Sequence, residues 1–155
     1  MKRLRLNMIL LGLSVVLSAV FPLSVTGIVK EKSVPNRYGT EIKFTHKSWQ
    51  EVLKQASAQN KYIFVDAYAS WCGPCKQLKA TTFKNGKAAA FFNKNFVNVA
   101  IDMEKGQGRE LSSEWGTESF PTLLVINPKG KIVSIIEGFV EPDELIRFGQ
   151  QALKK

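Results

Sequence analysis

Tyr62-Ile63-Phe64-Val65-Asp66-Ala67-Tyr68-Ala69-Ser70-Trp71-Cys72-Gly73-Pro74-Cys75-Lys76 is the stretch on which the reading of this chain turns. Tyr62 to Val65 is an unbroken apolar run with no polar alternation, the pattern of a strand buried on both faces. Two cysteines follow at once, three positions apart, and Lys76 to Phe83 reads as helix. A Cys-x-x-Cys that follows a strand and opens a helix puts the first sulfur at the helix N-terminus. Unpaired N–H groups and the positive end of the dipole favour a thiolate there, so the thiol pKa falls. Cys72 is therefore the candidate nucleophile. Cys75, one turn on and expected to be the more buried, is the candidate resolving thiol.

These are the chain's only two cysteines. A disulfide between them closes a tiny loop and constrains little of the unfolded chain, so its purpose is chemical rather than structural. Half of a zinc site has the same spacing. Zinc takes four ligands, and beyond the cysteines the chain offers one histidine, His46, which stands just ahead of a predicted helix as a surface or capping residue. No metal site is expected.

Outward from this stretch the pattern alternates. Ser48 opens a helix with Trp49, Val52, Leu53 and Ala56 on one face. Ala88 to Phe92 continues the helix after the cysteines, and Phe96 to Ile101 is a second strand. Gly108 to Trp115 is a short helix. Pro121 to Ile126 and Lys131 to Ile136 are strands around the turn Asn127-Pro128-Lys129-Gly130. A last helix begins near Pro142, with Asp143 and Glu144 suited to its N-terminal dipole. The order α-β-α-β-α-β-β-α predicts an α/β fold with a central mixed sheet and helices on both faces.

The N-terminus reads as an address. Lys2, Arg3 and Arg5 precede an uncharged run from Leu6 to Val29, the layout of a secretory signal. Val25-Thr26-Gly27 and Leu17-Ser18-Ala19 offer cleavage sites. An uncleaved membrane anchor is the competing reading, against which Pro22, Ser18, Ser24 and Thr26 weigh. With no cysteine here, a lipoprotein signal is excluded. Residues 1–27 are thus a signal peptide or N-terminal membrane anchor, 28–45 a linker and 46–155 the folded domain. The expected location is the bacterial periplasm or the extracytoplasmic face of the membrane.

The 155 residues are 45% hydrophobic and 23% charged, a globular composition. Loss of residues 1–27 lowers the formal charge from +9 to +6, and the remaining lysines are dispersed. With no arginine-rich block and no interleaving of basic and aromatic residues, nucleic-acid binding is not expected.

Trp71-Cys72-Gly73-Pro74-Cys75 resembles the active-site motif of thioredoxins. The resemblance covers residues 46 to 153 and implies the thioredoxin fold. Asp66, six residues before Cys72, matches the family's buried carboxylate, which implies a proton acceptor for the second cysteine. Phe120-Pro121-Thr122 is similar to the cis-proline loop, in which the residue before the proline pairs with the substrate chain. Gly138 matches a glycine near the substrate groove. The resemblance thus implies a substrate-binding set of Trp71, Gly73, Pro74, Phe120, Pro121 and Gly138. Lys79 to Phe83 and Glu137-Gly138-Phe139 are most similar to the periplasmic C-terminal domain of transmembrane thiol–disulfide interchange reductases and to their exported single-domain relatives.

Two positions depart from the family. Where thioredoxins carry a lysine beside the buried carboxylate, alignment on Ile101-Asp102 puts Asn98, so Asp66 is expected to hold its proton more tightly. Where they carry a kinking proline after the second cysteine, this chain has Ala80, so a straighter helix is expected.

The reading is thiol–disulfide exchange on protein substrates, leaning to the reducing direction because Gly73-Pro74 separates the cysteines. No cofactor is implied beyond the Cys72–Cys75 disulfide. Partners expected are protein disulfides and a membrane-embedded thiol or electron-transfer protein, since the compartment lacks the cytosolic reducing supply; the domain is read as a monomer. Rival readings are a disulfide oxidase or isomerase, a dithiol metallochaperone or cytochrome assembly factor, and an interaction module with an incidental disulfide.

Overall fold

The computed structural model describes residues 39–155. The expected signal or anchor, residues 1–27, and most of the expected linker lie outside the described residues.

Helix α1 (Trp49–Gln59) starts from a reciprocal cap: Ser48 Oγ accepts the Glu51 N–H, and the Glu51 carboxylate accepts the Ser48 N–H. Its Trp49, Val52 and Ala56 are buried. Strand β1 (Tyr62–Tyr68) is buried from Ile63 to Ala67, as its apolar run predicts. It is central, parallel to β2 (Phe96–Asp102) and antiparallel to β3 (Thr122–Ile126), while β4 (Ile132–Glu137) is antiparallel to β3 at the edge. The strand order is β2-β1-β3-β4.

Side chains alternate across this sheet and build a core on each face. Phe64, Leu123 and Val125 pack with Leu78, Phe92, Leu145 and Phe148, which come from α2 (Gly73–Ala80), α3 (Gly86–Asn95) and α5 (Pro142–Ala152). Ile63, Val65, Ala67 and Leu124 pack with α1 and with Leu111 of α4 (Gly108–Trp115). Phe64 has no exposed surface and lies against Phe92 with ring centroids 4.4 Å apart. A side chain of that kind contributes about 1.5–3 kcal/mol when fully buried. The mixed sheet with helices on both faces is the architecture the sequence pattern predicts.

Two expectations are corrected. The segment after the cysteines is not one straighter helix. Helix α2 stops at Ala80, Thr81 leaves the helical region (φ −122°, ψ −76°), Thr82–Lys84 forms a 3-10 turn, and α3 begins afresh with Asn85 as its cap. No proline is needed for this break. The Thr81 hydroxyl bonds back to the Gln77 carbonyl at 2.8 Å, the buried Thr82 hydroxyl donates to the Val140 carbonyl at 2.7 Å, and Asn85 Oδ1 accepts the N–H groups of Lys87 and Ala88. Competing side-chain bonds of this kind stop helices.

The boundary at residue 46 is also too late. Ile42 is buried, its N–H bonds to the Phe83 carbonyl at 2.7 Å, and the Thr45 N–H bonds to the Asn98 carbonyl at 2.9 Å beside β2. Residues 42–45 belong to the domain because an apolar Ile42 and an aromatic Phe44 cover the open side of the Phe64–Phe83 cluster.

Candidate active site

The C-terminal end of β1 delivers the chain to the cysteines. Cys72 is the N-cap of α2, with extended backbone (φ −66°, ψ 116°), and Pro74 sits in the first turn, where its missing N–H costs nothing. The Cys72 and Cys75 sulfurs are bonded at 2.05 Å, and Cys72 Sγ also accepts the Cys75 backbone N–H at 3.1 Å. Helix position therefore supports thiolate character at Cys72 once the pair is reduced. Burial does not distinguish the two sulfurs: Cys72 is 1% exposed and Cys75 2%, so the expectation that Cys75 is the deeper is not met in the disulfide form. With Ala69 they form a small buried cluster against which Tyr68 and Phe120 pack.

The loop between α4 and β3 faces this disulfide. The Phe120–Pro121 peptide is cis, Pro121 is buried and Phe120 is half-buried against the cysteines. The loop is held from three sides. Thr122 Oγ1 donates to the Ser119 carbonyl at 2.7 Å, Ser119 Oγ donates to Glu137 Oε2 at 2.7 Å, and the Gly138 N–H donates to the Pro121 carbonyl at 2.8 Å. Gly138 has φ +85°, a conformation that favours glycine. Trp71 is 66% exposed, edge-on to Phe120 at 6.2 Å between ring centroids, and its Nε1–H donates to Glu104 Oε2 at 2.9 Å. Gly73 and Pro74 are exposed beside it. Trp71 is thus joined to Phe120 by ring contact, Phe120 to the cysteine cluster by packing and Gly138 to Pro121 by a backbone bond, while Gly73 and Pro74 lie between the two cysteines.

Asp66 stands apart from these residues, inside β1. It has no exposed surface, and neither carboxylate oxygen has a hydrogen-bond partner among the described residues. Burial pushes its pKa up to about 7, with the positive charge of Lys79 opposing the rise. The tight proton expected from sequence has its cause in desolvation. The expected neighbour needs correcting: Asn98 pairs with Phe64, and the residue directly across from Asp66 is Ala100. The Asn98 amide is turned to the Lys43 carbonyl and Asn93 Oδ1 instead.

Two residues beside the site are given no site role by the sequence. Glu104 follows β2 at its C-terminal end, the end where parallel β1 delivers the cysteines, and that shared end was the available signal. Lys79 lies one helical turn after Cys75, a spacing that puts the two on one side of α2. Among the described residues no group of three or more His, Cys, Asp or Glu side chains is arranged to hold a metal ion. His46 is exposed and precedes the true cap, Ser48.

A redox-active cysteine pair at a helix N-terminus, facing a cis-proline loop at the end of a mixed sheet, defines a thiol–disulfide oxidoreductase. The chain belongs to the thioredoxin-like domain family, whose model matches residues 49–153. It is 37% identical over 93 residues to a thioredoxin of Mycoplasmoides gallisepticum, a match covering 60% of this chain and 86% of that one. A candidate disulphide-isomerase from Bacteroides thetaiotaomicron, solved in solution, superposes with a TM-score of 0.68 at 39% identity, over 76% of this chain and 97% of that one. The oxidised C-terminal domain of Neisseria meningitidis DsbD shares the fold, with a TM-score of 0.59 at 21% identity over 72% of this chain and 98% of that one. The chain also matches protein disulfide-isomerases of Zea mays and Datisca glomerata, of which it spans only 18% of the length.

Proposed function

We propose that this protein reduces disulfides of protein substrates outside the cytoplasm and is itself re-reduced by a membrane-embedded thiol partner. The observation that carries the exchange chemistry is the Cys72–Cys75 disulfide at the start of α2, facing Phe120 and Pro121. In the reduced form the Cys72 thiolate attacks a substrate disulfide, forming a Cys72–substrate mixed disulfide and releasing one substrate thiolate. Asp66 accepts the Cys75 proton. The Cys75 thiolate attacks Cys72 Sγ, the mixed disulfide breaks, and the second substrate thiolate leaves and is protonated. Two electrons pass from the cysteine pair to the substrate. Phe120 and Pro121 present backbone to the substrate chain, and Trp71, Gly73, Pro74 and Gly138 complete the docking surface.

The reducing direction rests on the Gly73-Pro74 pair between the cysteines, and the extracytoplasmic setting on the basic and apolar run of residues 1–27. A second reading, oxidation or isomerisation of substrate disulfides, has support from the relatives named protein disulfide-isomerase. The test is a Cys75→Ala variant expressed from the full chain. The expected result is accumulation of Cys72-linked mixed disulfides with exported proteins, absent in Cys72→Ser. Mixed disulfides confined to cytoplasmic proteins, or none, would sink the proposal.

A further inference from the structure

Behind the disulfide, on the face of the sheet that carries Asp66, a cleft of about 490 Å³ opens to solvent. Tyr68, Ala100 and Lys79 line it. Ala100 is the β2 residue directly across from Asp66, and Tyr68 is the next residue of β1 on the same face. A small side chain at 100 leaves the cleft floor close to the strand position of the unpartnered carboxylate. Lys79 reaches into this space from α2, its Nζ 3.2 Å above the centre of the Tyr68 ring. The aromatic face holds the ammonium without a direct ion pair, and its charge acts on the two nearby carboxylates, Asp66 and Asp102.

We propose that Lys79 is a positioning residue for the resolving step: seated on Tyr68, its ammonium is the counter-charge that stabilises ionised Asp66 and lets it take the Cys75 proton. The proposal rests on the role given above to Asp66. Lys79 touches no substrate in this scheme. It acts through Asp66, whose burial leaves it without any other compensating group among the described residues. The remaining ionisable groups on this side are distributed differently. Asp102 pairs with Lys105 at 3.0 Å and also feels the charge of Lys79, which helps hold its pKa down, and Glu41, Lys43, His46 and Lys84 stand around the cleft.

The experiment follows the full chain in its reduced form, with oxidised glutathione as the disulfide probe. The rate at which Cys75 resolves the Cys72–glutathione mixed disulfide is read by stopped-flow tryptophan fluorescence from pH 5 to 9. For Lys79→Gln the midpoint of the profile is expected to move up by at least about half a unit, slowing resolution about threefold below both midpoints. Lys79→Arg is expected to keep the wild-type midpoint. In an Asp66→Asn background the Lys79→Gln change is expected to shift nothing. An unmoved midpoint in Lys79→Gln, or a shift that persists in Asp66→Asn, would overturn the role of Lys79 while leaving that of Asp66 intact. If Asp66→Asn leaves the wild-type profile unchanged, the proton-acceptor reading itself falls, and the role of Lys79 with it.

Discussion

Gly138 donates its backbone N–H to the carbonyl oxygen of Pro121 at 2.8 Å, tying the end of β4 to the loop that faces the disulfide. The bond exists because Gly138 adopts φ +85°, and an added Cβ there would meet no heavy atom within 4 Å. The cost of Gly138→Ala is therefore conformational rather than steric. A loss of about 1–2 kcal/mol is expected in urea unfolding, the penalty of a left-handed non-glycine residue. Because the strain falls on the Pro121 loop, KM for a protein disulfide should rise while alkylation of Cys72 by iodoacetamide keeps its rate.

Asp66 makes the stability of the oxidised protein depend on pH. Its pKa rises from 3.8 to about 7 on folding, so between those values the native state binds more protons than the unfolded chain. Stability should therefore fall as pH rises through that window and level off above it. Asp66→Asn removes the cost of the buried charge. It is expected to be more stable than wild type at pH 8, by on the order of a few kcal/mol, with the gap closing towards pH 4. Urea denaturation of both oxidised proteins across this range checks the sign.

The Trp71–Glu104 bond fixes an exposed indole at the mouth of the site. Glu104→Ala frees the ring. The expected effects are a stability change within about 0.5 kcal/mol, as for most surface substitutions, and a several-fold higher KM for protein substrates with kcat unchanged. Trp71→Ala should reproduce the KM effect, and adding Glu104→Ala to it should do little more.

Thr82 holds the break between α2 and α3 through its bond to the Val140 carbonyl, with no exposed surface of its own. Thr82→Val keeps the volume and orphans a buried acceptor. The expected cost is about 1–3 kcal/mol in chemical denaturation, with the Cys72–Cys75 exchange rate intact because the bond lies beyond the end of α2.

How much of this was legible in advance depended on where the information sits. The apolar run of β1, the helix-opening Cys-x-x-Cys and the Pro142 start are local patterns, and each appears where its residues predict. The α2–α3 break was missed because helical periodicity registers neither the side-chain bonds of Thr81 and Asn85 to nearby backbone nor the reach of Thr82 to Val140, 58 residues away. Residues 42–45 read as linker because they follow the charged, proline- and glycine-containing run Lys30-Glu31-Lys32, Pro35-Asn36 and Gly39. Their anchoring comes from the Phe83 carbonyl and the edge of β2, both distant in sequence. The Cys72–Cys75 pair and the cis Phe120–Pro121 peptide facing it were readable from motif residues. Glu104 carries no motif and Lys79 was read only as the start of a resembling stretch, and the shared end of β1 and β2 and the packing of α2 bring them in.

The most direct measurement of the central claim is the reduction potential of the Cys72/Cys75 pair, obtained by equilibrating the full chain with defined glutathione or dithiothreitol buffers. A reductant built as described should give a value near about −270 mV, the range of thioredoxin. A value near about −120 mV, that of a strong periplasmic oxidant, would contradict the account, since the pair would then donate its disulfide rather than its electrons.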